Sequence, residues 1–141
     1  MDAAYIVGVE EIDGQHREIF AALDDLQKAI ATEGQSHRTA QTLHILFDVL
    51  VTHFAYEESF MEKIDCADLE AHRQQHIELL AQFELIFSAN KLGTIPERME
   101  HILRDEISSH LLNSDMLMAT IIERLVSRLR VHEVNDIHKS Y

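Results

Sequence analysis

Hydrophobic residues recur along the chain at three- and four-residue steps in four separate stretches. In the first, Ile19, Phe20, Leu23, Leu26 and Ile30 fall on one face of a helix expected from about Asp13 to Thr32. Asp13 is its expected cap and Glu33-Gly34 its stop. The second stretch, about Ser36 to Lys63, turns Leu43, Leu46, Phe47, Leu50, Phe54 and Phe60 inward. Asp65-Cys66-Ala67 makes a tight connection, and Asp68 is a good N-cap for the next helix. That third helix runs from about Leu69 to Asn90, with Ile77, Leu80, Phe83 and Phe87 expected to face in. Leu92-Gly93-Thr94-Ile95 breaks the pattern, and Pro96 suits the first turn of a fourth helix. The fourth reads through Ile102, Leu103, Ile107, Leu111, Leu117, Ile121, Ile122, Leu125 and Leu129. The connections are short, so neighbouring helices should be antiparallel. The expected fold is all-α: an up-down-up-down antiparallel four-helix bundle with an extended C-terminal helix.

One length does not match. From Pro96 to Val131 the fourth helix spans roughly 50 Å, while the third spans roughly 35 Å, at 1.5 Å per residue. The fourth helix either overhangs the bundle or breaks, with Asn113-Ser114 a candidate position. The overhang, IIERLVSRLRV, carries Arg124, Arg128 and Arg130 in an otherwise acidic chain. The plainer reading folds it onto its own bundle. The sharper one makes it a surface for self-association or a protein partner.

Composition narrows the function classes. The chain has 141 residues, the size of one domain, and a formal net charge of −13. That charge argues against non-specific nucleic-acid binding, which rests on basic surface, and against docking on anionic lipid. No apolar run approaches the roughly 20 residues that span a bilayer. MDAAYIVGVEEID has no basic leader region, so no secretory signal is expected, and a cytoplasmic location follows. The single cysteine, Cys66, excludes an internal disulfide and reads as a structural loop residue.

The histidines carry the chemistry. His53 and Glu57 lie four apart on the second helix, and His72 and His76 repeat that spacing on the third, so each pair shares a helix face. Burying such imidazoles on apolar faces without partners would cost several kcal/mol, of order 1–3 each. His16 stands in the first turn of helix one. His110 and Asp115 lie five apart, about 140° around an ideal helix. A π-type bulge or a break would bring them together. Glu106 and His110, four apart, fit helix geometry better, and both pairings stay open here. Five imidazoles and two carboxylates suit a pair of transition-metal ions, and the set argues for iron. His37, His44, His101, His132 and His138 are expected at the surface, and Glu58 and Glu62 in solvent.

The pieces VGVEEIDGQH, THFAYEE, HRQQH and HLLNSD, in that order, give H, HxxxE, HxxxH and HxxxxD. In this the chain resembles a bacterial hemerythrin over roughly residues 5–118, within one domain of residues 1–141 whose helical extension covers about 119–141. The resemblance implies two non-haem iron ions joined by an oxo or hydroxo bridge, with reversible O2 binding. It assigns His72, His76 and His110 to one filled iron, and His16 and His53 to another that keeps an open position. Glu57 and Asp115 would bridge the two. Phe54, Ile107 and Leu111 would form an apolar wall around the O2 pocket, and ordinary core packing explains the same residues equally well.

The chain departs from the family's usual pattern. Relatives often carry a Trp in the N-terminal arm and another one turn before the last His ligand, and this chain has none. Glu106 occupies the second position, where it can turn to solvent, pair with an arginine, or polarise the pocket. Asp65-Cys66-Ala67 replaces a Gly-Tyr-Pro-like turn. The leading expectation is O2 storage, delivery or sensing by a binding protein rather than an enzyme. The alternative is a di-iron redox enzyme acting on peroxide, NO or O2. Iron storage is disfavoured by the small number of carboxylates.

Overall fold

The computed structural model describes residues 1–33, 37–91 and 97–139. Within these, some side chains also lie outside the description, among them 114–116, 122 and 132–139. Four helices form the bundle: α1 (Glu10–Glu33), α2 (His37–Lys63), α3 (Leu69–Lys91) and α4 (Glu97–Lys139), preceded by a 3-10 turn at Ala3–Tyr5. The start of α1 meets the end of α2, and the end of α2 meets the start of α3, through His53–Gln15 and Glu57–His72 contacts. This is the antiparallel arrangement that short connections dictate. No helix among the described residues is long and apolar enough to cross a membrane.

The main apolar cluster unites Ile19, Leu23, Leu26, Leu43, Leu46, Leu50, Phe83, Leu103 and their neighbours, drawn from all four helices. A second, smaller one joins Ile12 and Ile121, flanked by Val7, Val9, Tyr56, Phe60, Cys66, Leu117 and Leu125. Arg104 fastens α4 to α1 by reaching Asp24 at 2.9 Å while bonding Glu100 on its own helix at 3.1 Å.

Three expectations need correction. Asp13 does not cap α1. The acidic run Glu10, Glu11, Asp13 suits a first turn facing the positive end of the helix dipole, so the helix starts at Glu10. Asp13 is instead buried, and its carboxylate turns back to accept the amides of Val7 at 2.8 Å and Gly8 at 3.1 Å. Gly8 adopts φ 87, a left-handed conformation that costs glycine little and lets two successive amides converge on one carboxylate.

On α3, Ile77 is 60% exposed; Leu79, Phe83 and Ile86 form the buried face, with Leu80 and Phe87 at its margins. On α4, Ile102 and Leu129 are likewise exposed, and the helix continues through Asn113-Ser114 without a break or π turn. At 43 residues it is about 65 Å long by its rise per residue, so it overhangs. Leu117, Ile121 and Leu125 lie against the N-terminal arm and the α2–α3 loop; beyond them Val126, Leu129 and Val131 are exposed. The expectations for Gly34, Ser36, Leu92-Gly93-Thr94-Ile95, Pro96, Ile122, His132 and His138 lie outside the described residues or side chains.

The α2–α3 turn closes as a Schellman motif. Cys66 N–H reaches the Met61 carbonyl at 3.0 Å and Asp65 N–H the Glu62 carbonyl at 3.1 Å. Asp65 takes the left-handed position with φ 51, where glycine is usual and aspartate is tolerated. Asp68 caps α3 with its carbonyl, which accepts the His72 amide at 2.9 Å. That fixes the first turn from which His72 and His76 project.

Candidate metal centre

Between the two apolar clusters lies a buried polar core. His16, His53, Glu57, His72, His76 and His110 are each less than one-tenth exposed. All four helices contribute, and helical spacing does the positioning: His53 with Glu57 and His72 with His76 each stack one turn apart on an inward face.

The donor atoms converge. One ligand atom from each of Glu57, His72, His76 and His110 lies within 4.8 Å of the others. The Nε2 atoms of His76 and His110 are only 3.0 Å apart. Glu57 spans two groups of imidazoles. Its Oε1 touches His72 Nε2 and lies 3.6 Å from His76 Nε2, while its Oε2 lies 3.2 Å from His53 Nε2. His16 stands beside His53, ring centroids 4.8 Å apart. The set is therefore three imidazoles on one side of a carboxylate and two on the other.

The far sides of the rings explain why Nε2 points inward. His16 Nδ1 donates to the Tyr5 carbonyl at 2.8 Å, His53 Nδ1 to the Gln15 amide oxygen at 2.7 Å, and His76 Nδ1 to a Glu58 carboxylate oxygen at 3.0 Å. Each acceptor keeps the ring's proton on Nδ1 and leaves a lone pair on Nε2, the tautomer that a metal at Nε2 requires. Sequence reasoning missed these partners and placed Glu58 in solvent. Glu58 is in fact only partly exposed, and it also accepts from Arg73 Nε at 3.2 Å. The available signal was adjacency: Gln15 precedes a ligand and Glu58 follows one, each rotated about 100° away from its neighbour.

Protonation agrees with a ligand role. Burial tends to raise the Glu57 pKa, but contacts from His53, His72 and His76 prevail and hold it far below the usual carboxylate range. Burial pushes the His16 imidazole down, against the Tyr5 carbonyl bond that favours its charged form. His110 falls to about 4, chiefly through burial, with Glu57 opposing and His76 and His72 adding to the shift. At neutral pH these groups are an ionised carboxylate and neutral imidazoles. Such a crowd of inward-facing acceptors fits cations, and imidazole donors suit first-row transition metals such as iron, copper and zinc.

The remaining predicted site residues divide. Phe54 is buried, stacks on the His76 ring at 3.9 Å and meets His110 edge-on at 5.3 Å. Ile107 and Leu111 are buried in the same apolar cluster as Phe54. Glu106 does not join the converging donor atoms of Glu57, His72, His76 and His110, and neither do His16 and His53, which adjoin that group through Glu57 Oε2. Glu106 is half-buried, and its Oε2 has no hydrogen-bond partner among the described residues. It lines a groove of about 450 Å³ between α3 and α4 that reaches His110. The side chain of Asp115 lies outside the described residues. His37, His44 and His101 are exposed, and His44 stacks on Phe87 with ring centroids 4.4 Å apart.

Comparison with known proteins agrees with this geometry. Residues 7–122 match the family model described as Hemerythrin HHE cation binding domain. A bacteriohemerythrin of Methylococcus capsulatus is 31% identical over 108 residues, which are 74% of this chain and 81% of that one. A bacteriohemerythrin of Stenotrophomonas maltophilia is 28% identical over 116 residues, covering 80% and 74% of the two chains. The crystal structure of a wild-type hemerythrin superposes with a TM-score of 0.76 at 28% identity, covering 85% of this chain and 94% of the other. With its buried histidine–carboxylate core on a helical bundle, the chain belongs to the hemerythrin family of cation-binding domains.

Proposed function

We propose that the chain binds O2 reversibly at a pair of iron ions and serves in oxygen storage, delivery or sensing. The observation that carries this reading is the placement of Glu57, whose two oxygens face different groups of histidines. On this reading His72, His76 and His110 hold one ion, and His16 and His53 the other. Glu57 bridges them, with Asp115 as the second bridge by its place in the HLLNSD motif. A pair of oxo- or hydroxo-bridged iron ions held there would supply the redox chemistry that O2 binding needs, and the smaller histidine set, His16 and His53, would leave room for O2 on its side.

The protein's own part is exclusion and orientation. Phe54, Ile107 and Leu111 close the core on its apolar side and keep water from the site. Gln15 and the Tyr5 carbonyl hold His53 and His16 in their metal-binding tautomer. One domain of residues 1–141, with its core at about 5–118, carries this chemistry. The lone Cys66 and the net charge of −13 suit a cytoplasmic protein that binds no nucleic acid.

The optical spectrum of anaerobically reduced, iron-loaded protein tests the proposal as O2 is added and withdrawn. A charge-transfer band that rises and vanishes over repeated cycles is the expected result. Immediate, irreversible oxidation would overturn it in favour of a di-iron redox enzyme acting on peroxide, NO or O2. One observation favours that second reading: the buried, unbonded Oε2 of Glu106 in a groove that reaches His110. If Glu106 polarises the centre, Glu106→Ala slows autoxidation severalfold; an unchanged rate removes it from the chemistry.

A further inference from the structure

The ring-anchoring bonds of His16, His53 and His76 are not chemically equal. His16 leans on a backbone carbonyl and His53 on a neutral side-chain amide. His76 leans on a carboxylate. A hydrogen bond to an anion transfers more electron density into the ring than one to a neutral acceptor, and roughly doubles in strength. The His53–Gln15 bond of 2.7 Å and the His76–Glu58 bond of 3.0 Å each use the residue next to a predicted ligand, and they differ in the charge of the acceptor.

Glu58 is itself held. Its Oε2 accepts from His76 while its Oε1 accepts from Arg73 at 3.2 Å. Arg73 also pairs with Glu70 at 2.6 Å and approaches Glu62 at 3.7 Å. The chain His76–Glu58–Arg73 thus runs from the buried core to the surface. Arg73 draws charge away from Glu58, and Glu58 pushes charge toward His76.

We infer that Glu58 is a positioning residue that makes His76 a stronger electron donor than His16 or His53, so that the two metal positions differ in affinity and potential, with Arg73 moderating the effect. This rests on the two-ion reading of the centre. It goes beyond that reading in adding to the difference in histidine number a second source of inequivalence, a residue outside the predicted ligand set. The ion on the His72–His76–His110 side binds more tightly and resists reduction more strongly than its neighbour.

The test uses full-length protein with Co(II), followed by its visible absorption, and the iron-loaded protein in a redox titration. Glu58→Gln keeps the size and the acceptor oxygen but removes the charge. It should weaken the tighter Co(II) step 10–100-fold, as loss of such a partner does in other metal sites, and raise the potential of the iron centre. Arg73→Ala should move both quantities the opposite way, by less. Glu62→Gln removes an equal charge from the same arginine without touching a histidine, and serves as the electrostatic control. A purely structural role for Glu58 predicts losses in both variants, never shifts of opposite sign. Equal Co(II) affinities and potentials in wild type and Glu58→Gln, or a Glu62→Gln shift as large as that of Glu58→Gln, would overturn the inference. Should Glu58→Gln fail to fold, the Arg73→Ala shift decides alone: tighter Co(II) binding and a lower potential support the inference, and no shift overturns it. Fewer than two Co(II) per wild-type chain would instead break the two-ion reading, so the two failures are distinguishable.

Discussion

The two ends of this bundle are built by different physics. Below the metal centre, an apolar cluster from four helices has a large buried core, with partly buried residues packed at its margin. Above it, among the described residues, the apolar cluster buries only Ile12 and Ile121, and their surroundings are half-exposed. What orders the upper end is directed bonding: Asp13 gripping Val7 and Gly8, Tyr5 gripping His16, and the Schellman turn at Asp65. Burial is non-directional and tolerates small shifts, whereas a hydrogen bond fixes an angle. The lower end therefore supplies most of the stability, and the upper end sets the orientation of the ligands nearest it.

This contrast breaks first under core truncation. Leu46 is fully buried, so Leu46→Ala should cost about 2–5 kcal/mol in urea unfolding of the metal-free protein. Leu125→Ala in the upper cluster should cost about 1 kcal/mol or less. Equal losses would mean that the upper end is as tightly packed as the lower.

Acid should act on the seam between the ends. The His110 pKa of about 4 lies below the 6.5 of a free imidazole, and the His16 pKa is also lowered. The unfolded chain then binds protons that the folded chain refuses, so stability is whole above pH 6.5 and falls as pH drops toward 4. Glu57, held below its ordinary range, adds a further loss at lower pH, in the same direction. A urea midpoint that stays level from pH 6.5 to 4 in metal-free protein would contradict the burial of these rings.

Asp13→Ala sharpens the comparison from the other side. It strands two amides and should cost about 1–3 kcal/mol, with faster proteolysis of residues 1–9 and little change in the lower core. The smallest effect is expected at the turn. Asp65→Gly relieves a left-handed aspartate and should raise stability by about 0.5 kcal/mol, read as a slightly higher Tm.

Much of this was legible in the sequence, and α3 shows why some was not. The helices and the inward histidines followed from three- and four-residue spacing, because helix geometry alone puts His72 over His76. The apolar face of α3 was misjudged because its hydrophobic residues spread around the helix, with Ile77 and Leu85 both exposed. Hydrophobicity could not choose between faces there. The steps 72, 76, 79, 83 and 86 trace one continuous face, so the histidines marked the core better than Ile77 did. Asp13 was misread for a related reason. An acidic residue near a helix start is compatible with a cap and with a first-turn position, and only the arm decides. For Glu58 the sequence offered only its adjacency to Glu57, because its partner His76 lies 18 residues away on another helix.

The Tyr5–His16 bond has one more implication. A metal bound through His16 and an arm docked through Tyr5 would share a single imidazole, so each would change the affinity of the other by the same factor. On that reading the first nine residues and the centre would be linked through one ring, and proteolysis of the N-terminal segment would report on occupancy of the centre.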